Sequence, residues 1–487
     1  MRPQNWRSTA PALIVLSALL SILLNTVALA QWSTPVRISD PIDCYRPKII
    51  SCGGLLHLIY STGLGLSFYQ RSTDLGGSWS VPYCINLGGG GTSAKPTMRA
   101  RGDTVVAAWY HTLTVGHNIG FRCSTDGGQS WGAVSFVLPS NYLNLEQLIL
   151  TVSGPSTYLI FTHSDDRIHF CITESTDLGV SWTAQREMFQ VQSSEGMDLC
   201  CRGDTLLLLW SAIYSWQELM ELYFCRSTDG GESWSDISLL STEDDHGSQN
   251  PCLVLNERGQ LAAFWTDFKY SPYWFTGDVF VRYSQDLGET WTEEEALTAD
   301  HLAAFPKVVW EGDSLHLTWE DYSQDPGNIS YMASTDNGLS WGQREAVDDY
   351  ISDSFNPNLA LTPGLVHLVW DDRRYPEWGI YYSRREEQPD AVGDVESEFL
   401  PQEKYLRAYP NPFNSRVTIK YFLPSDGSVS IGIYNVSSQR VDRILSQNMP
   451  AGQHEITWEA SGFPSGLYSV VVRQGNRSET ARLVLVK

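Results

Sequence analysis

The sequence predicts an all-β protein: a seven-bladed β-propeller followed by a second, smaller all-β unit. The main observation is an eight-residue motif, S-[TQ]-D-x-G-x-[ST]-W, that recurs six times at steps of 50 to 57 residues. Strand-like segments fill the intervals, and four antiparallel strands repeated in series are typical of propeller blades. The six copies are Ser72–Trp79, Ser124–Trp131, Ser175–Trp182, Ser227–Trp234, Ser284–Trp291 and Ser334–Trp341.

The motif itself has the composition of a tight turn. Asp and Ser side chains hydrogen-bond nearby backbone groups in such turns, and the glycine accepts a positive φ. The tryptophan opens the next strand and can pack under the turn. We therefore expect a structural role, with no catalytic or calcium-binding role, for the motif aspartates Asp74, Asp126, Asp177, Asp229, Asp286 and Asp336.

The intervals between motifs repeat as well. A proline marks the start of the first strand in five repeats, at Pro47, Pro96, Pro251, Pro306 and Pro357. The second strand ends in an aromatic residue in seven repeats, at Tyr60, Trp109, Phe161, Trp210, Trp265, Trp319 and Trp370. Seven aromatic strand ends against six motifs leave one repeat without its motif.

The seventh repeat runs from Phe355 to about Arg385 and stops where its motif should begin. The segment from Trp32 resembles the strand that follows each motif, so we expect it to pair with the strand near Gly379–Ser383. Such pairing closes the ring and removes an open sheet edge. The propeller then spans residues 31–385, and six blades is the alternative if one repeat is misassigned.

Residues 1–30 have the features of a signal peptide. Arg2 and Arg7 precede an apolar run from Ala12 to Leu24, and Ala28-Leu29-Ala30 supplies small residues at the cleavage site before Gln31. An uncleaved membrane anchor is the alternative, although the run is short for a spanning helix. No later stretch is apolar enough to span a membrane, so we expect an exported protein without a span after cleavage.

Composition and charge exclude several functions. Acidic residues outnumber basic ones by 56 to 33, a formal net charge of −23. Nucleic acids and anionic membranes both bind clusters of Lys and Arg, so neither is expected as a partner. The chain is 42% hydrophobic and 18% charged, which excludes a disordered protein.

The nine cysteines allow two interpretations. Most lie in strand-like segments, which favours buried free thiols, although an exported chain could form up to four disulfides. No CxxC pair occurs, so no structural zinc site is expected, and no cofactor or metal is predicted.

An acidic segment, residues 386–404, reads as a solvated linker. The unit from 405 to 487 alternates apolar and polar residues, for example in Val417–Phe422.

Two family resemblances follow from these motifs. The six motifs resemble the Asp-box, or BNR, repeat of sialidases and related propellers. The C-terminal unit resembles the type A sorting domain of the type IX secretion system, through Tyr409–Asn414, Ala451–His454, Ser465–Tyr468 and Ala481–Lys487. The second resemblance implies an immunoglobulin-like sandwich, recognition by type IX secretion machinery and delivery of a Gram-negative bacterial protein to the cell surface or medium. An adhesive immunoglobulin-like module is the alternative for this unit.

A ligand site is expected at the central mouth, on the face opposite the motifs, where first strands begin and second strands end. We expect an aromatic and acidic mouth that binds an extracellular glycan or protein. The candidate ligand-binding residues are Arg46, His111, His163, Glu195, Asp267, Asp321, Asp372, Arg373, Trp274 and Trp378.

The sialidase resemblance also implies an alternative activity, hydrolysis of sialylated glycans. Sialidases clamp the substrate carboxylate with three arginines, for which Arg46, Arg167 and Arg373 are the candidates. In the first repeat, the residues that directly follow Ile59 are Tyr60-Ser61-Thr62-Gly63, and none of them is an aspartate that could serve as the family's acid. Whether the protein is an enzyme is left open by the sequence.

Overall fold

The computed structural model describes residues 32–386 and 406–487. Gaps fall at 41, 88–91, 114–115, 140–141, 143, 216–217, 272, 274, 324–326, 349–351, 375–376, 410–412, 424–426, 436–439, 451 and 475–476. All regular structure in these residues is β-strand. The predicted signal peptide and nearly all of the predicted linker lie outside them. The chain forms two compact units, 1–392 and 393–487.

The first unit is a ring of seven four-stranded antiparallel sheets, as the seven-bladed prediction requires. We number the blades along the chain and the strands of each blade outward from the central channel. Blades 1 to 3 contain, in this order, Cys44–Cys52, Leu55–Thr62, Ser67–Ser72 and Tyr83–Cys84; Thr92–Arg101, Thr104–Thr112, His117–Ser124 and Ser135–Phe136; and Leu145–Ser153, Ser156–Ser164, Ile168–Ser175 and Arg186–Val191. Blades 4 and 5 contain Ser193–Arg202, Thr205–Ile213, Glu221–Ser227 and Ser238–Leu239; and Ser248–Leu255, Leu261–Asp267, Asp278–Ser284 and Glu295–Ala296. Blades 6 and 7 contain Ala303–Glu311, Ser314–Asp321, Asn328–Ser334 and Glu345–Ala346; and Ser354–Thr362, Leu365–Asp372, Gly379–Glu386 and Val36–Arg37.

Blade 7 takes its outermost strand from the N-terminal segment. Val36 pairs with Tyr382 and Arg37 with Tyr381, in antiparallel register. The Ser33 N–H donates to the carbonyl of Arg384 at 2.8 Å. The predicted closure is therefore confirmed, and the alternative of six blades is wrong.

Aromatic residues at the ends of the second strands fill the spaces between blades. Their relative exposure is at most 1%, and they are among the largest fully buried side chains of the ring. Burying a large apolar side chain stabilises a fold by roughly 1.5–3 kcal/mol. The seven residues are Tyr60, Trp109, Phe161, Trp210, Trp265, Trp319 and Trp370.

Each Asp-box motif forms the turn between the third and fourth strands. In the second copy, Asp126 accepts hydrogen bonds from the Ser124 hydroxyl at 2.8 Å and from the Ser130 N–H at 2.9 Å. The Ser130 hydroxyl also donates to this carboxylate, at 2.5 Å. The other five copies repeat these bonds, so each motif aspartate accepts hydrogen bonds from its own turn.

The motifs also join neighbouring blades. The Tyr69 hydroxyl of blade 1 occupies the space where Gly128, in the blade 2 motif, would carry a Cβ. Trp131 of the same motif packs edge-on against Tyr69, with ring centroids 4.9 Å apart. Glycine is required at this position both for its φ of +77° and for the close approach of the neighbouring ring.

The second unit is a β-sandwich. One sheet has the strands Leu406–Tyr409, Arg416–Leu423 and Gly452–Glu459, and the other has Arg440–Met449, Gly427–Asn435, Gly466–Gln474 and Arg477–Leu485 in spatial order. Alternate residues of both sheets meet in one buried core, which includes Val417, Ile431, Trp458 and Val470.

All nine cysteines are free thiols, which settles the choice between thiols and disulfides. Burial raises the pKa of Cys44 to about 11 and that of Cys252 to about 12, so these thiols are poor nucleophiles at neutral pH.

Candidate functional site

The innermost strand of every blade is interrupted by a bulge near its start. In five blades the bulged pair is a residue followed by proline, and the first of the two has a φ between +51° and +56°. Such a conformation costs a non-glycine residue roughly 1–2 kcal/mol, and strained backbone of this kind is concentrated at functional sites. The five strained residues are Arg46, Lys95, Asn250, Phe305 and Asn356.

These bulges turn their side chains toward the central mouth. The mouth encloses about 300 Å³, and four of the five strained residues line it. Its lining residues carry four cationic side chains and one carboxylate, Glu146. The cations are Arg46, Lys48, Lys95 and Lys307.

The expectation of an acidic mouth is corrected by this geometry. Asp267, Asp321 and Asp372 are at most 4% exposed and do not line the cavity of the mouth. Each carboxylate accepts the backbone N–H two residues later in its own loop, at 2.7–2.9 Å. Serine hydroxyls donate to the same carboxylates. These aspartates therefore stabilise the loops between second and third strands.

Asp372 has several hydrogen-bond and ion-pair partners. The hydroxyls of Ser352 and Ser354 donate to it at 2.7 and 3.0 Å, and the Arg374 guanidinium lies 2.6 Å away. Hydrogen bonds and the charge of Arg374 hold the pKa of Asp372 below its usual value, against the opposing effect of burial.

Two predicted histidines lie away from the mouth. His111 is fully buried, with its ring 4.9 Å from that of Phe136. His163 stacks on His169 at 4.6 Å, and burial followed by the His169 charge lowers the pKa of His163. We infer a packing role for both.

Of the remaining predicted residues, Glu195 directly precedes Gly196, which lines the mouth. Glu195 is exposed and occupies, in blade 4, the bulge position that Arg46 occupies in blade 1. Arg373 lies over the ring of Trp378 at 5.9 Å. Trp274 lies outside the described residues.

An aromatic arc flanks the mouth across blades 5, 6, 7 and 1. Successive ring centroids are 5.8–6.4 Å apart. Two of its members directly precede residues that line the mouth. The arc comprises Tyr273, Phe275, Tyr322, Phe355, Trp378 and Tyr45.

Two buried carboxyls beneath the arc were not singled out from the sequence. Asn356 connects them, because its N–H donates to Glu320 at 2.7 Å and its side-chain amide donates to Asp371 at 3.2 Å. The Tyr322 hydroxyl donates to Glu320 at 2.8 Å. The pKa of both acids is raised to about 7, mainly by burial, and the charge of Glu320 contributes to the increase at Asp371. The only sequence signal was an acidic doublet at each strand end, Glu320-Asp321 and Asp371-Asp372.

The three candidate arginines of a carboxylate clamp are not brought into one cluster by any contact of the described residues. Arg46 lines the mouth, whereas Arg373 stacks on Trp378 in blade 7. Arg167 lies in a loop of blade 3, where its N–H donates to Asp165.

One group of side chains in the described residues has the spacing of metal ligands. Atoms of Asp165, Asp166 and His169 lie within 4.8 Å of one another. Asp165 already bonds the His169 ring at 3.0 Å, and both aspartates are exposed. The cluster is consistent with a solvated loop.

The fold and the repeated motif define a sialidase-like Asp-box propeller. Residues 18–262, half of the chain, match the BNR repeat-like domain, and the chain belongs to that family. Residues 407–487 match the secretion system C-terminal sorting domain. The protein is accordingly a substrate of type IX secretion, delivered to the cell surface or the extracellular space.

Solved structures share the propeller fold at low sequence identity. A polysaccharide lyase of family PL25, an ulvan lyase bound to -[GlcA(1-4)Rha3S]-, is 12% identical with a TM-score of 0.52, over 72% of this chain and 94% of its own. The polysaccharide lyase Uly1 is 8% identical with a TM-score of 0.50, over 73% and 99%. A protein of unknown function from Dyadobacter fermentans DSM 18053 is 16% identical with a TM-score of 0.48, over 74% and 99%. At identities of 8–12%, the likeness to the two lyases establishes the fold alone.

A search of curated protein sequences gives no significant match. No helix long and apolar enough to cross a membrane occurs in the described part of the chain.

Proposed function

We propose that the propeller binds an extracellular glycan at its central mouth. The observation that carries the proposal is the aromatic arc beside a cavity of about 300 Å³. Flat rings stack on the apolar faces of sugars, and polar groups in the cavity wall orient the bound ligand. A protein ligand is the other possibility raised by the sequence, but a cavity beside a row of aromatic rings suits a chain of sugar units better.

The polarity of the wall supports a glycan that carries charge or many hydroxyls. Arg46 and Lys95 are exposed at the rim, and Asn356 and Asn358 line the cavity between apolar residues. Two structures that share the fold are polysaccharide lyases, and one of these was solved with a sulfated disaccharide unit. This likeness is a reason to test polysaccharides first.

Affinity electrophoresis of the full chain through a panel of soluble polysaccharides tests the proposal. Tyr45→Ala and Trp378→Ala each remove one ring of the arc, and we expect about three- to tenfold weaker binding. Tyr83→Ala removes an exposed ring from the outer strand of blade 1 and is the matched control. Binding of both arc variants at the wild-type level would exclude the arc as the glycan site.

A sialidase-type hydrolase is the second candidate. One observation favours it: the Tyr322 hydroxyl donates to Glu320 close to the mouth, and sialidases use a tyrosine nucleophile with a glutamate partner. Hydrolysis of a fluorogenic sialoside by the wild-type protein, lost in Tyr322→Phe, would establish this activity. No turnover by the wild-type protein would leave binding as the function.

A further inference from the structure

A second cavity, the chamber, adjoins the mouth within the central channel. The chamber encloses about 480 Å³ and shares Lys48, Met197, Lys307 and Asn358 with the mouth. The mouth and the chamber therefore adjoin each other at these four side chains.

Three cationic side chains line this chamber: Lys48, Arg99 and Lys307. They come from the innermost strands of blades 1, 2 and 6, and each is half-buried. Among the described residues none of the three forms an ion pair. Lys48 donates to the Thr97 hydroxyl at 3.3 Å, and Arg99 donates to the Met98 carbonyl at 3.0 Å.

The chamber offers these cations little negative charge. Asp198 is the one carboxylate among its described lining residues. The two oxygens of Asp198 accept the N–H groups of Leu199 at 2.9 Å and Leu253 at 2.8 Å. Three cations thus face one carboxylate that is already hydrogen-bonded.

The cations repel one another in this enclosed space. Burial, followed by the charges of Arg99 and Lys307, lowers the pKa of Lys48 to about 7, while Asp198 opposes the effect. Burial raises the pKa of the neighbouring Cys200 and Cys252 thiols, so they add no charge at neutral pH. This excess of positive charge occurs in a chain of net charge −23, so it is a local feature of the channel.

We propose that the chamber binds a compact anionic group, a sulfate or a carboxylate, between Lys48, Arg99 and Lys307. Buried cations are stable when paired with an anion, and the amine and guanidinium hydrogens would supply charge-assisted hydrogen bonds. The anion has two possible sources, a free oxyanion or a substituent of the glycan in the mouth. If the anion is a substituent of the glycan, the inference rests on the proposed function and specifies its ligand as an acidic polysaccharide.

Anion binding in this chamber is coupled to the charge of Lys48. A bound anion favours the ammonium form, so binding takes up a proton when the free amine is neutral. Because Lys48 is charged below about pH 7 and loses its proton above it, affinity is expected to be higher at pH 6 than at pH 8.5.

Calorimetric titration of the full chain with sodium sulfate, in a sodium chloride background of constant ionic strength, is the first test. We expect saturable sulfate binding that weakens from pH 6 to pH 8.5. Lys48→Met should bind sulfate at least about tenfold more weakly and should lose the pH dependence. Lys420→Met, in the C-terminal sandwich, is the matched control and should behave as the wild type.

Lys48→Met removes a cation without an ion-pair partner, so it is expected to fold, and its melting temperature in sulfate-free buffer checks this. Arg99→Met is the second variant. No sulfate binding by the wild type, or unchanged binding in a folded Lys48→Met protein, would overturn the proposal.

Affinity electrophoresis with dextran sulfate and with unmodified dextran distinguishes the two sources. Retardation by dextran sulfate that Lys48→Met abolishes identifies a glycan substituent as the anion. Sulfate binding with no polysaccharide binding identifies a free oxyanion and refutes the proposed function alone. Equal binding of both dextrans by the wild type and by Lys48→Met supports the proposed function and refutes the anion site.

Discussion

Trp32 packs edge-on against Tyr331, with ring centroids 5.1 Å apart and ring planes at 86°. Trp131 and Tyr69 make the same contact between blades 2 and 1, at 4.9 Å and 77°. The N-terminal segment thus supplies to blade 7 the tryptophan that a motif supplies to the other blades. This contact and the short strand Val36–Arg37 both join the N-terminal segment to the ring.

Trp32→Ala should lower the free energy of unfolding by about 2 kcal/mol, because a half-buried ring is lost at the ring closure. Val36→Ala, at a position that is 56% exposed, should change it by less than about 0.5 kcal/mol. Urea denaturation followed by tryptophan fluorescence measures both. Equal stability of the two variants would show that closure does not depend on the contact.

Gly128→Ala and Gly102→Ala separate backbone strain from the close contact between blades. Both glycines have positive φ, +77° and +56°, but only at Gly128 would a Cβ meet the Tyr69 ring. Gly102→Ala should cost about 1 kcal/mol and Gly128→Ala about 3 kcal/mol. Urea denaturation measures the difference, and similar costs would mean that Tyr69 moves aside freely.

The motif aspartates should make the propeller sensitive to acid. Hydrogen bonds from Ser or Thr hydroxyls, together with backbone N–H groups, lower the pKa of five of these carboxyls from 3.8 to about 2: Asp74, Asp126, Asp177, Asp229 and Asp286. Since the folded pKa is below the unfolded value, this stabilisation is present above about pH 4 and is lost as the pH falls toward 2.

Asp126→Asn should therefore reduce the fall in melting temperature between pH 5 and pH 2.5, and lower the melting temperature at neutral pH. Glycan binding per folded molecule should be unchanged, because the motifs lie away from the mouth. Calorimetric scans across this pH range provide the measurement. An unaltered pH profile would show that these hydrogen bonds do not contribute.

Asp372→Ala should destabilise the propeller by about 3–5 kcal/mol, because it leaves the half-buried Arg374 without one of its two carboxylate partners. Arg373→Ala, one residue along and exposed, is the control and should have little effect on unfolding. Thermal scans compare them. A stable Asp372→Ala protein with weakened glycan binding would instead support the ligand-binding role that the sequence suggested.

The ring could be predicted from the sequence because every blade makes the same turn and packing contacts, and the residues that make them recur at regular steps. Short stretches of sequence are enough to predict three features: the motif turns, the buried aromatic strand ends such as Trp265, and the closing strand. The candidate site was less predictable, since it depends on how single side chains point at the end of a strand. Asp371 and Asp372 are adjacent and acidic, yet they face opposite sides of the strand and meet different partners.

The charge of the mouth was missed for a related reason. In an alternating strand Arg46 and Lys48 share a face, but the bulge between Tyr45 and Lys48 changes the register at this point. A positive φ at Arg46 cannot be predicted from residue type, because arginine rarely adopts it. The proline that follows each bulged residue was visible in the sequence, and it marks the position of the bulge.

The bulges give the mouth a set of exchangeable positions. The backbone there is held by the following proline and by ladder pairs on both sides. Asn356 also bonds the buried Asp371 through its side chain, whereas Arg46, Lys95 and Phe305 are exposed. The same backbone already presents a guanidinium, an ammonium, two amides and a phenyl ring at Arg46, Lys95, Asn250, Phe305 and Asn356. Recognition by this scaffold can therefore diversify one residue at a time, and a library randomised at Arg46, Lys95 and Phe305, which line the mouth, would alter ligand preference while the seven blades stay intact.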